Sequence, residues 1–138
     1  MILSIDDIKK LIPHRSPFLF IEECKIITKG KIGESLRTFD STEYFFEGHF
    51  PNNPIVPGVV IVEGMAQTAG VVVSDNMPKD EKKSVLFMSI NKAKFRKPVC
   101  PGDVLMHKVS KKNQVKNIWK FSCKSYVNNS LVAEAELS

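Results

Sequence analysis

The hydrophobic and polar positions first mark out a short helix. Ile5, Ile8, Leu11 and Ile12 recur at the three- and four-residue spacing of one helical face, and Pro13 ends the run because its ring cannot continue a helix. Ser4 and Asp7 stand three apart as a capping box requires, and Asp6 adds negative charge at the positive end of the helix. Phe18 to Thr28 is rich in Phe and Ile, Gly30 supplies a turn, and Lys31 to Phe39 resumes, which predicts a first pair of strands. Three further strands are expected at Val104 to Lys111, Val115 to Val127 and Leu131 to Leu137, the last two joined by the turn signal Asn128-Asn129. In the last, Leu131, Ala133, Ala135 and Leu137 share one face while Val132, Glu134 and Glu136 share the other. Trp119, Phe121 and Cys123 are likewise opposed to Lys120, Ser122 and Lys124, as in an antiparallel sheet with one solvated face.

Pro57 to Asp75 has neither alternation nor a single apolar stripe. Val and Ile favour strands, but the segment is longer than most strands and its apolar positions cover nearly every helical direction. It reads as a buried helix with Pro57 in its first turn, which needs cover on all sides; an antiparallel sheet curled about it supplies that cover. Strands, one buried helix, then strands again define an α+β domain, with a short N-terminal helix and no βαβ alternation.

With 138 residues, 43% of them hydrophobic and 25% charged, the chain is expected to fold as a single domain spanning residues 1–138. No apolar run approaches the roughly 20 residues of a membrane span, and Asp6 and Asp7 stand where a signal peptide would be apolar, so a soluble, cytoplasmic chain without membrane insertion is expected. Cys24, Cys100 and Cys123 are odd in number and far apart, which supports neither a disulfide framework nor a zinc site. A net charge of +5 favours an acidic partner. Nucleic acid is disfavoured because the basic residues are scattered and lack interleaved aromatics; an acidic protein fits, as does a merely solvated surface.

One anomaly interrupts the predicted buried helix. Glu63 sits among Val59, Val60, Ile61, Val62, Met65 and Ala66, where a carboxylate must be paired, hydrogen-bonded or protonated. Gln67 is one turn later on the same face and within reach of it. Glu63 is either a functional carboxyl or a partner for a lysine at a subunit edge. Upstream, His49 lies between Phe46 and Phe50, and Gly48 to Gly58 contains three prolines and two glycines, a rigid loop suited to positioning a base. Its alternative role is to satisfy loop carbonyls. His14 and His107 show no metal-like spacing with it, and His107 falls in a strand pattern, where a structural role is expected. The amides of Gly58 and Val59 are unpaired first-turn donors at the helix entrance. A histidine base, a carboxyl group and a backbone oxyanion donor are together what loss of water from a 3-hydroxyacyl compound requires.

The ordered set of motifs resembles the 3-hydroxyacyl-acyl-carrier-protein dehydratase family of bacterial fatty-acid synthesis. It runs over most of the chain: Pro13-His14-Arg15-Ser16-Pro17-Phe18-Leu19, Gly48-His49-Phe50-Pro51, Pro57 to Glu63, Met65-Ala66-Gln67, Asn91 to Val99, Pro101-Gly102-Asp103 and Ala133 to Glu136. The resemblance implies the hot-dog fold and hydro-lyase chemistry without a metal or diffusible cofactor. It carries the catalytic histidine to His49, the catalytic glutamate to Glu63 and the carbonyl-polarising amide to Gly58. It further implies a homodimer whose sites each draw one of the two side chains from each subunit, assembling into a hexamer as a trimer of dimers. Gly64 departs from the alanine usual after the glutamate, and Asn52-Asn53 occupies a variable part of the loop. A sister family that also isomerises the double bond has Asp at the glutamate position, so Glu63 points to dehydration alone.

The partner so implied is acyl carrier protein, which is acidic and presents its acyl chain on a phosphopantetheine arm. Lys94, Arg96 and Lys97 are the candidate docking residues, with alternation putting Lys94 and Arg96 on one side and Lys97 on the other. Phe87 and Met88 are candidates for lining or gating the acyl tunnel. Two rival readings use the same scaffold: a hot-dog thioesterase, opposed by the His49 and Glu63 pair, and a non-catalytic acyl-carrier-binding subunit, opposed by the intact catalytic positions.

Overall fold

In the computed structural model, which describes residues 1–78 and 88–138, the N-terminal helix is closed by the box its sequence specifies. Strand β1 (Ile2–Leu3) leads into α1 (Ile5–Leu11). The Asp7 amide donates to the Ser4 hydroxyl at 3.3 Å, and the Ser4 amide donates back to the Asp7 carboxylate at 3.0 Å. Arg15 finishes the other end, its guanidinium donating to the carbonyls of Lys9, Ile12 and His14 at 2.7–3.0 Å. The two-residue β1 carries no pattern of its own; it exists by pairing with β2.

The expected first strand pair forms as β2 (Glu23–Thr28) and β3 (Ile32–Thr38), turned at Gly30 with φ +71°. The strand begins at Glu23, later than the expected Phe18, because a side chain from the central helix binds the backbone of Phe18 and Phe20; the Glu22 amide already donates to the Leu36 carbonyl at 2.8 Å. A short 3-10 turn (Tyr44–Glu47) precedes α2 (Gly58–Asp75), the helix expected from its all-round apolar sequence. Pro57 is its N-cap residue, one place before the expected first-turn position, with φ −58°.

The C-terminal strands are β4 (Ile90–Phe95), β5 (Val104–Val115), β6 (Ile118–Val127) and β7 (Ser130–Leu137). Strand β5 runs through Val115 and the chain turns at Lys116, whose φ is +54°, so the break falls after Val115 and not before it. Asn128 and Asn129 both take positive φ, as a tight two-residue hairpin requires. Val132, expected on the wet face, is 2% exposed. It is passed over where the β6–β7 register shifts, and its carbonyl accepts the amides of Arg96 and Lys97.

All pairings are antiparallel, in the order β1-β2-β3-β5-β6-β7-β4. The sheet wraps α2, whose Val60, Ile61, Met65, Val71 and Val72 pack with Leu105, Val109, Phe121 and Ala133 in one core. Length and composition alone would let α2 cross a membrane, yet 72% of it is buried inside the fold. Contact with β3 is close: a β-carbon on Gly33 would collide with a Val72 methyl. Polar cross-links sit beside these apolar contacts. The Thr68 hydroxyl donates to the Gly64 carbonyl at 2.7 Å, and Ser35 therefore donates to Thr68 across 2.6 Å.

Candidate active site

The loop before α2 fixes His49 at three points. The His49 amide donates to Phe45, the His49 carbonyl accepts from the Ile55 amide at 2.9 Å, and Nδ1 lies 2.9 Å from the Ile55 carbonyl. A carbonyl only accepts, so Nδ1 carries a proton, and the neutral imidazole has its lone pair on Nε2. The Phe50 ring stacks on the imidazole at 4.2 Å, and the peptide between the two residues is cis. The proline-rich loop thus leaves one nitrogen free to act as a base.

Glu63 lies one turn into α2, and its surroundings are polar despite its apolar neighbours in sequence. Gln67 Nε2 donates to Glu63 Oε2 at 3.0 Å, the bond expected from their spacing. The same amide group also donates to the Phe18 carbonyl at 3.1 Å and accepts from the Phe20 amide at 2.8 Å. Gln67 is 1% exposed and all three contacts satisfy its buried amide. These bonds hold residues 18–20 against the helix and explain why they leave the sheet. His14 completes the surroundings, its Nε2 3.4 Å from Glu63 Oε2. Sequence spacing gave no reason to join His14 to Glu63; the stiff Pro13-His14-Arg15-Ser16-Pro17 segment was the available signal.

A cavity of about 800 Å³ lies at the N-terminal end of α2, and His49, Glu63, Gly58, Phe95, Arg96 and Lys97 are among its lining. Gly58 and Val59 have no side-chain cap to occupy their amides, so both remain donors at the positive end of the helix. Gly58 lies close under Phe95: a β-carbon there would come within 2.9 Å of the tip of that half-exposed ring, which would have to move aside. Around the cavity Val59, Phe50, Ile90 and Phe95 are exposed, Val59 at 77%.

The remaining candidates are placed less centrally. All of β4 is exposed; Arg96 is bonded to Glu134 through Nε and Nη2, each at 2.8 Å, and Lys94 pairs with Glu134 in register. Arg96 and Lys97 line one cavity, in place of the opposite sides expected, because regular alternation stops with β4 at Phe95 and both amides turn onto the Val132 carbonyl. Met88 is 69% exposed, and Phe87 lies outside the described residues. His107 is fully buried, with Nδ1 2.6 Å from the Ser125 hydroxyl, and burial pushes its pKa down to about 3. Among the described residues no group of three or more His, Cys, Asp or Glu side chains is placed to hold a metal.

A curled antiparallel sheet around one buried helix is the hot-dog architecture. Solved structures share it at low identity: the ApeI:P dehydratase heterocomplex of Xenorhabdus doucetiae superposes with a TM-score of 0.79 at 14% identity, covering 94% of this chain and 87% of that one. A virulence protein of Campylobacter jejuni gives 0.70 at 14% identity, covering 96% and 86%. The chain belongs to the FabA-like domain family, whose pattern matches residues 12–136. Within it, the chain is 46% identical to the 3-hydroxyacyl-acyl-carrier-protein dehydratase FabZ of Sulfurovum sp. (strain NBC37-1), over 99% of this chain and 95% of that relative. It is 44% identical to the FabZ of Campylobacter fetus, over 98% and 95%.

Proposed function

We propose that this protein is a 3-hydroxyacyl-acyl-carrier-protein dehydratase of fatty-acid synthesis, forming a trans-2-enoyl thioester by loss of water. The observation that carries the reading is that a base, His49, with Nε2 left free by its Nδ1 bond to Ile55, and a carboxyl group, Glu63, both open onto the apolar surface at the N-terminal end of α2, where a second protomer brings one to the other. Family membership and the FabZ relatives supply the substrate class.

The thioester carbonyl accepts from the Gly58 amide, and the helix end stabilises the negative charge that develops on its oxygen. His49 Nε2 removes the proton from C2. Glu63 delivers a proton to the C3 hydroxyl, the C3–O bond breaks and water leaves as C2 and C3 become doubly bonded. His49 ends protonated and Glu63 ionised, and proton return between them restores the site. No metal or redox group is needed for the electron balance. The thioesterase alternative needs only a carboxylate and water, and leaves His49 without a task.

The carrier protein is the partner, and its phosphopantetheine arm delivers the acyl chain to the cavity. Lys94, Arg96 and Lys97 form the basic docking edge, supported by their exposure on and just after the last strand of the sheet. Residues 1–138 act as one catalytic domain in the cytoplasm. The exposed apolar rim of Phe50, Val59, Ile90 and Phe95 supports a homodimer that closes the cavity and brings His49 of one protomer to Glu63 of the other. Three such dimers make the hexamer.

The deciding experiment follows dehydration and hydration of acyl-carrier-bound substrates by wild type, His49→Ala and Glu63→Gln. Turnover that falls by at least about 100-fold in both folded variants is expected. Release of free acid in place of enoyl product would move the assignment to a thioesterase, and carrier binding without turnover to a binding subunit.

A further inference from the structure

We propose that His14 is a positioning residue for Glu63, holding Oε2 so that Oε1 is the oxygen that handles the proton. The inference rests on the dehydratase reading, in which Glu63 is the acid. Three observations carry it. His14 Nε2 lies 3.4 Å from Glu63 Oε2. His14 Nδ1 is buried and has no hydrogen-bond partner. The backbone at His14 is held from one side by Arg15, which donates to the Ile12 and His14 carbonyls, and from the other by Gln67, which binds Phe18 and Phe20.

The buried Nδ1 decides the tautomer. A neutral imidazole has one N–H, and placing it on Nδ1 would bury an unsatisfied donor while facing the Nε2 lone pair toward a carboxyl oxygen. With the proton on Nε2, the donor points at Glu63 and only a bare lone pair is buried. The 3.4 Å separation is long for a hydrogen bond, as catalytic contacts often are before substrate binds.

Oε2 then accepts from Gln67 at 3.0 Å and faces the His14 Nε2 donor at 3.4 Å, one from α2 and the other from the segment after α1. Oε1 has no protein donor among the described residues, so an added proton resides there. His14 thereby fixes both the carboxyl orientation and the oxygen that carries the proton. It touches no reacting atom in this arrangement.

The test compares wild type, His14→Leu, His14→Gln and Glu63→Gln in the carrier-bound dehydration assay, with kcat and KM measured separately. Leucine removes the donor, while the glutamine amide restores one near the position of Nε2. The expected result is a kcat about 10- to 100-fold lower in His14→Leu with KM within about twofold, and recovery of most of the loss in His14→Gln. Nitrogen-15 NMR of histidine-labelled wild type, expected to show His14 protonated at Nε2, supplies a readout independent of variant folding. Unchanged kcat in folded His14→Leu, equal loss in both His14 variants, or an Nδ1-protonated His14 overturns the inference. An inactive wild type instead overturns the dehydratase reading beneath it, while the NMR result still reports on the His14 bond.

Discussion

The imidazole of His107 occupies the space that a β-carbon on Gly64 would need, with Nε2 the nearest atom to that position. Gly64 lies directly after Glu63 in α2, and the resembling family usually has alanine there. The glycine is therefore matched to a buried histidine on β5 and is not a simple weakening of the helix. In an open helix, Gly64→Ala would stabilise by about 1 kcal/mol. Here overpacking against His107 opposes that gain by about 1–3 kcal/mol, so net destabilisation is expected. A double-mutant cycle with His107→Ser, followed by urea unfolding, should give a coupling of at least about 1 kcal/mol. Additive effects would mean that the two residues do not share this space.

His107 also links stability to acidity. Burial lowers its pKa from 6.5 to about 3, so the unfolded chain takes up a proton before the folded one as the medium becomes acidic. The neutral side chain's contribution is complete above about pH 6.5 and declines by about 1.4 kcal/mol per pH unit down to about 3. Between pH 7.5 and 5, wild type should lose about 2 kcal/mol more stability than His107→Gln. Parallel losses in the two proteins would contradict the assignment.

Gln67 joins structure to the candidate site in one side chain. Gln67→Leu would leave the buried Phe20 amide without its partner, at about 1–3 kcal/mol, would free the partly exposed Phe18 carbonyl at smaller cost, and would release Glu63 Oε2. A lowered urea midpoint together with reduced turnover is expected. A variant that lost activity at full stability would show that the loop bonds carry little energy.

The cysteines differ in reactivity for a physical reason. Burial raises the Cys24 and Cys123 thiols to about 12, with Asp75 adding a smaller push at Cys24, while Cys100 is partly exposed. Under native conditions iodoacetamide should label Cys100 first and the other two only after unfolding. Mass spectrometry of the peptides checks this, and early labelling of Cys24 or Cys123 would contradict the burial described.

Local physics made much of the molecule legible. The box at Ser4 and Asp7, the stop at Pro13, the turns at Gly30 and Asn128-Asn129 and the Glu63–Gln67 bond all involve residues within a few positions of one another, where propensity and spacing act directly. The central helix was recognisable because no strand of that length carries apolar residues in every direction. Motif order led to the family, and with it to His49, Glu63 and Gly58.

Only the folded chain brings together groups that are far apart in sequence. Gln67 holds Phe18 to Phe20 out of the sheet through bonds spanning 47 and 49 residues. Val132 is buried by a register shift that strict alternation does not contain. His14 meets Glu63, and His107 meets Gly64, because α1, which leads into His14, and β5 both pack on α2. Sequence fixes which groups are available and which local turns they favour; contact between distant side chains follows from packing, which depends on the whole core at once.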